Sequence, residues 1–385
     1  MLRSVYTSDH DAFRKTVRSF IEREVVPEFD DWYRSGQVPR EMYLKLGELG
    51  VFGIEVPEEY GGAGIESYKY TAVLSEETAL AGVNFGGSHV HVELCLPYLK
   101  AYANEEQKKR WLPGFVSGET MFAIAMTEPG AGSDLAGMKT TARLADEGRH
   151  YVLNGAKTFI TGGVHADRVI VCARTAPPTD NDRRHGISLF VVDTTSNGYT
   201  VGRKLDKLGL KTSDTAELSF VDVEVPVEDL LGEENAGFSH LADNLPRERL
   251  TIAMTSYAQA RAAIEFARQY TTQRHAFGLP VASFQNTKFE LAACKADVDA
   301  VEAVVDRAVE AHDSGELTAA DAAAAKLFCT ETAARVIDRC LQLHGGYGYI
   351  NEYPIARLYA DNRVHRIYGG TSEVMKVIIA KDMGL

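Results

Sequence analysis

Apolar positions set the first expectations. Phe13, Val17, Phe20, Ile21 and Val25 recur at helical spacing behind Ser8, a residue type that caps helices, and predict an opening helix. Pro39 opens a short helix that runs through Leu46 and stops at Gly50. After a loop at 56–64, helical patterns return at 68–81, 89–103 and 105–116. Around Thr120 the period falls from 3.6 toward two. Short β-rich runs follow at 121–126, 140–144, 151–153, 169–173, 188–192, 199–201 and 216–223, separated by turns at Asn154-Gly155, Gly162-Gly163 and Asn197-Gly198. An exposed polar loop spans 174–186 within this block. From Gly237 the helical period returns and stays. Cys294, Val298, Val301, Val305 and Val309 form one stripe, and breaks at 275–283 and 314–315 predict an up-and-down bundle. The fold class is therefore α+β: an N-terminal all-α domain (1–119), a middle antiparallel β-sandwich or barrel (120–235) and a C-terminal four-helix bundle (236–385).

Composition narrows the function. A chain of 385 residues, 45% hydrophobic and 25% charged, has ample material for a buried core. No apolar run approaches a membrane span, and the amphipathic start predicts neither a secretory signal nor a transit peptide. Five scattered cysteines without a C-x-x-C pair fit a reducing cytoplasm. A net charge of −13 opposes nucleic-acid binding. His89-x-His91 has no carboxylate or thiol placed to complete a metal site, so no metal is expected.

Candidate chemistry centres on residues 125–140, where Thr127 and Ser133 offer hydroxyls and Gly130 and Gly132 let a ligand approach the backbone. On composition alone this reads equally as an ordinary hairpin turn. It is no dinucleotide fingerprint, because Leu135 stands where a third glycine is required, and the chain has no P-loop. Thr127-Glu-Pro-Gly-Ala-Gly-Ser-Asp134 resembles the flavin-binding signature of the acyl-CoA dehydrogenases. The helix, β, helix order extends that resemblance over nearly the whole chain.

The resemblance implies FAD as cofactor. It assigns Met126, Thr127, Gly132 and Ser133 to the flavin, and Phe159-Ile160-Thr161 to the ring, where relatives often carry Trp in place of Phe159. Read alone, Phe159 is an ordinary core residue. Arg274, Phe277, Gln285, Gln342, Leu343, Gly345 and Gly346 would meet the pyrophosphate and adenine half of a flavin held mainly by a neighbouring subunit, which implies a homotetramer. Arg274 suits the task because a guanidinium fork matches phosphate oxygens, though by itself it reads as a solvated charge. Thr371 and Glu373 belong to the segment resembling the one that closes over the flavin edge and thioester.

That segment departs from the common pattern. Many relatives place their catalytic Glu where this chain has Gly369. Part of the family carries the base at the start of a long C-terminal-domain helix, which here supplies Glu248. Pro246 in a first turn and Asn244 as cap would set Glu248 near a positive helix end. Without the vacancy at Gly369, Glu248 reads as a surface carboxylate. The implied reaction is α,β-dehydrogenation of an acyl-CoA to the trans-2-enoyl-CoA, as in fatty acid β-oxidation, with an electron-transfer flavoprotein as acceptor. Ser133, Leu245, Arg249, Gly369 and Gly370 are the implied substrate contacts. The motifs around Glu248, Gln342 and Gly369 look most like those of long-chain members. A branched-chain, isovaleryl-type dehydrogenase and a non-enzymatic flavin-binding scaffold are the alternatives.

Overall fold

The computed structural model describes residues 3–385; the Met1–Leu2 start of the amphipathic N-terminus lies outside the described residues. The first third is helical: α1 (Ser8–Phe20), α2 (Phe29–Ser35), α3 (Arg40–Glu48), α4 (Lys69–Ala81), α5 (Leu96–Tyr102) and α6 (Glu105–Ser117). The cap of α1 is Thr7 and not Ser8, with the Thr7 N–H donating to His10 Nδ1 at 3.1 Å. A π-helical turn over Ile21–Val25 carries the same apolar stripe onward, so Val17, Phe20, Ile21 and Val25 meet Trp32, Leu46 and Phe52 in one core.

The middle strands are β1 (Phe122–Ala125), β2 (Thr141–Leu144), β3 (His150–Thr161), β4 (Arg168–Arg174), β5 (Ile187–Asp193), β6 (Tyr199–Lys204), β7 (Thr215–Pro226) and β8 (Leu230–Leu231). They form one sheet in the order β6-β7-β3-β2-β4-β5-β8, with β1 also on β4. Most pairs are antiparallel, but β1 and β2 both meet β4 in parallel. Asn154-Gly155, expected as a turn, lies inside β3. The β3–β7 register shifts there, and a Cβ on Gly155 would collide with Thr140, so glycine permits close packing instead of reversal.

The remaining elements are α7 (Gly237–Gln273), β9 (His275–Ala276), β10 (Leu279–Pro280), α8 (Gln285–Asp313), α9 (Ala319–Leu343), α10 (Pro354–Asn362) and α11 (Ser372–Asp382). Helices α7, α8 and α9 pack on one another, α11 packs on α9, and α4 covers α7 from the N-terminal side. The stripe Cys294, Val298, Val301, Val305 and Val309 is buried against α7 and α9. A small hairpin fills the break after α7. All five cysteines are free and buried. Among the described residues no helix is long and apolar enough to cross a membrane.

One expectation about α7 fails. The helix starts at Gly237, so Pro246 is interior, Asn244 is no cap, and Glu248 lies three turns from the positive end. Pro246 has no N–H for the helix ladder, and Asn244 turns back to donate to the His240 carbonyl at 2.9 Å. Burial of the helix from Arg249 to Ala263 holds it continuous through the proline.

Candidate active site

Glu248, half-buried on α7, faces the turn that precedes α11. Gly369 and Gly370 form that turn with φ of 64° and 96°, which glycine adopts at least cost. One Glu248 carboxylate oxygen lies 3.4 Å from where a Cβ at Gly369 would stand, and the side chain of Ile252 blocks the same point. The carboxylate thus approaches the space that a side chain at 369 would enter.

Two cations flank it. Arg249 is buried, with Nε 3.4 Å from the Gly369 carbonyl, and Lys326 on α9 donates to the Gly370 carbonyl. Burial pushes the Glu248 carboxyl above the usual carboxylate range, while Arg249 and Lys326 pull it back. The cause is desolvation and not a helix end, since Glu248 sits in mid-helix. Burial also brings the Lys326 ammonium down to about 8. Tyr98, buried and with an unpartnered hydroxyl, is pushed up by burial and further by the Glu248 charge. Leu245 lies one turn before Glu248, half-buried. Thr371 caps α11, its hydroxyl 3.4 Å from the Val374 N–H, and Glu373 follows in the first turn.

A second group forms where the loop after β1 meets β3. Glu128, buried, accepts from the N–H groups of Lys139 (2.6 Å) and Thr140 (2.9 Å) and from Lys157 Nζ (2.9 Å). Lys157 is only 1% exposed and also donates to the Met126 carbonyl. The Thr158 N–H donates to the Thr127 carbonyl at 2.9 Å. These bonds fix Met126 and Thr127 beside Phe159. Phe159 sits at a break in the β3–β7 register with φ of 60°, and it is 68% exposed while Ile160 is buried and Thr161 half-buried. A non-glycine residue held there costs on the order of 1–3 kcal/mol, and here it turns an aromatic face outward. Gly132 and Ser133 are exposed, and a Cβ at Gly130 or Gly132 would meet nothing. An open loop with hydroxyls beside a bare aromatic face fits a flat, polar-edged flavin.

A third group lies elsewhere. Arg274, Leu343, Gly345 and Gly346 line one cavity of about 470 Å³ with Tyr270, His344 and Tyr347. Arg274 is exposed, stacked 5.7 Å over the Tyr347 ring, and forms no ion pair among the described residues. Phe277, at the β9–β10 tip, is 98% exposed. Gln285 begins α8 and Gln342 lies in the last turn of α9, neither lining that cavity. None of the Glu248 group or the Phe159 group lines it either.

Sequence reasoning missed Lys326, Glu128 and Lys157. Lys326 carried a signal: it interrupts the apolar face shared by Ala322, Cys329 and Ala333. His89 and His91 are committed to the backbone, His89 Nδ1 with the Gly86 carbonyl and His91 with the Phe115 carbonyl and Phe122 N–H.

Profiles of the acyl-CoA dehydrogenase N-terminal, middle and C-terminal domains match residues 7–119, 123–223 and 235–384. The chain belongs to the acyl-CoA dehydrogenase family. It is a flavin-dependent oxidoreductase with that family's fold. The long-chain specific acyl-CoA dehydrogenase of Sus scrofa mitochondria is 44% identical over 99% of this chain and 88% of its own length. The crystal structure of an acyl-CoA dehydrogenase from Geobacillus kaustophilus superposes with a TM-score of 0.95 at 44% identity, covering 99% of both chains. An acyl-CoA dehydrogenase from Bacillus anthracis, solved with FAD, superposes with a TM-score of 0.90 at 34% identity, over 98% of this chain and 67% of that one.

Proposed function

We propose that the protein dehydrogenates acyl-CoA thioesters, long-chain ones first, to trans-2-enoyl-CoA, with FAD as cofactor and Glu248 as the base for the α-proton. The observation that carries this reading is the approach of Glu248 to the space over Gly369, beside an intact flavin signature. FAD, when bound, supplies the acceptor for the hydride leaving the β-carbon.

The chain supplies the rest. Desolvation raises the proton affinity of Glu248. A positioned base of this kind contributes ~10²–10⁴-fold in rate. Arg249 engages the Gly369 carbonyl, which helps fix the peptide planes of the turn. The backbone N–H groups of that turn would then polarise the thioester carbonyl. Phe159 and Thr161, with Met126, Thr127, Gly132 and Ser133, would hold the flavin, and Thr371 and Glu373 would close over its edge. Ser133, Leu245 and Arg249 would bound the substrate.

The separate Arg274 cavity supports a flavin shared between subunits. The exposed Phe277, Phe289 and Tyr349 support the homotetramer that such sharing needs. An electron-transfer flavoprotein would reoxidise the enzyme, and the free thiols support a cytoplasmic setting. Long-chain preference rests on the likeness to the Sus scrofa enzyme. The test is anaerobic bleaching of the flavin absorbance by straight, branched and long acyl-CoAs. Fastest bleaching by long straight chains supports the reading; preference for short branched chains moves the assignment to the isovaleryl type. A protein that holds its flavin and bleaches with none of these substrates returns it to the scaffold class.

A further inference from the structure

Helix α9 touches the Glu248 site through a residue that the reaction described above leaves without a chemical role. Lys326 is 1% exposed, on a face otherwise built from Ala322, Ala325, Cys329 and Ala333. Its Nζ donates to the Gly370 carbonyl. Farther along α9, Glu331 accepts from the Ser372 hydroxyl at 2.7 Å and from Arg366 at 3.3 Å. The 366–372 segment is therefore fastened to α9 in several places, but only one of the fastenings faces the base. Lys326 Cε lies 3.7 Å, and the Glu248 oxygen 3.4 Å, from the same Cβ point at Gly369, so that carbon and that oxygen are no more than about 7 Å apart, with the ammonium one bond beyond the carbon. A buried ammonium with a single carbonyl acceptor is poorly solvated, and a facing carboxylate offsets that cost.

We propose that Lys326 is a positioning residue of the active site: it holds the Gly369-Gly370 turn against Glu248 and supplies the charge that keeps this desolvated carboxylate ionisable. The inference rests on the reading of Glu248 as the base. Glu248 is faced by Arg249 on its own helix, Lys326 on α9, Tyr98 on α5 and Tyr368 in the turn segment. Lys326 is faced by Glu248, Arg249 and His365. Arg249 stays charged at any working pH, so Lys326 is the cation whose replacement isolates the effect.

The experiment is an infrared titration of the Glu248 carboxyl in the holoenzyme, its band identified by loss in Glu248→Gln. It is run on wild type, Lys326→Met, Lys326→Gln, Lys326→Arg and Glu331→Gln, with the pH profile of flavin reduction beside it. Removing one charge at this separation corresponds to a rise of about one pH unit, tenfold in proton affinity. The expected result is that rise in both Lys326→Met and Lys326→Gln, its absence in Lys326→Arg, and no shift in Glu331→Gln. Lys326→Gln keeps a donor for the Gly370 carbonyl and so keeps the proposal testable should Lys326→Met fold poorly. A carboxyl unmoved in both neutral variants overturns the inference. So does an equal shift in Glu331→Gln, which would assign the effect to a loosened segment. Turnover of Glu248→Gln tests the base reading separately, because the infrared titration does not depend on it.

Discussion

Replacing Gly369 by Ala adds one methyl at the point where Glu248, Ile252 and Lys326 converge. At a φ of 64° a side chain costs ~1–2 kcal/mol, which glycine avoids. The new Cβ also runs into the δ-methyl of Ile252. That methyl ends a flexible side chain, so the overpacking cost falls at the low end of the usual range, ~1 kcal/mol. Together these predict a stability loss of ~2–3 kcal/mol in urea unfolding. The Glu248 oxygen, 3.4 Å from the added carbon, must also retreat. A displacement approaching 1 Å costs up to ~10²-fold in rate. Stopped-flow flavin reduction should therefore slow by about tenfold to a hundredfold while flavin stays bound. Ile252→Val removes the colliding methyl, so in the double variant the overpacking part should return and the backbone part should not. A Gly369→Ala enzyme as stable and as fast as wild type would refute the geometry.

Two further outcomes follow from buried charges. Burial pushes Glu93 up to about 7 from an ordinary 4.5, and Thr251 donates to it at 2.8 Å. The folded state thus holds this proton more tightly than the unfolded chain, so the stabilisation present at pH 4.5 is lost as pH rises toward 7. Glu93→Gln keeps an acceptor for Thr251 and removes the titration; it should be up to ~3 kcal/mol more stable than wild type at pH 8 and little different near pH 4.5, as read by urea melts. Lys157→Met leaves Glu128 buried and unpaired, which should cost ~3–5 kcal/mol and release flavin, measured by unfolding and by flavin content after gel filtration.

Much of the fold was legible because long apolar stripes such as Cys294 to Val309 admit one period only. The errors came where one residue carries two meanings. Pro246 usually marks a first turn, yet here the buried face after it carries α7 through. Asn154-Gly155 usually turns a hairpin, yet here it lets β3 pack on Thr140. At the site, Gly369 pointed to Glu248 because a motif position stood empty, and the fold brings the two residues together. Lys326 with Gly370, and Glu128 with Lys157, were not visible because each pair is joined only by folding, 44 and 29 residues apart. The positive helix end inferred for Glu248 was wrong, and desolvation takes its place as the source of basicity.

The assignment of Glu248 is tested most directly by anaerobic reduction of wild type and Glu248→Gln with one long-chain acyl-CoA, both loaded with flavin. Wild type should bleach, and the variant should hold its flavin and stay yellow, slowed by at least ~10²-fold. Equal bleaching of the two would contradict the assignment.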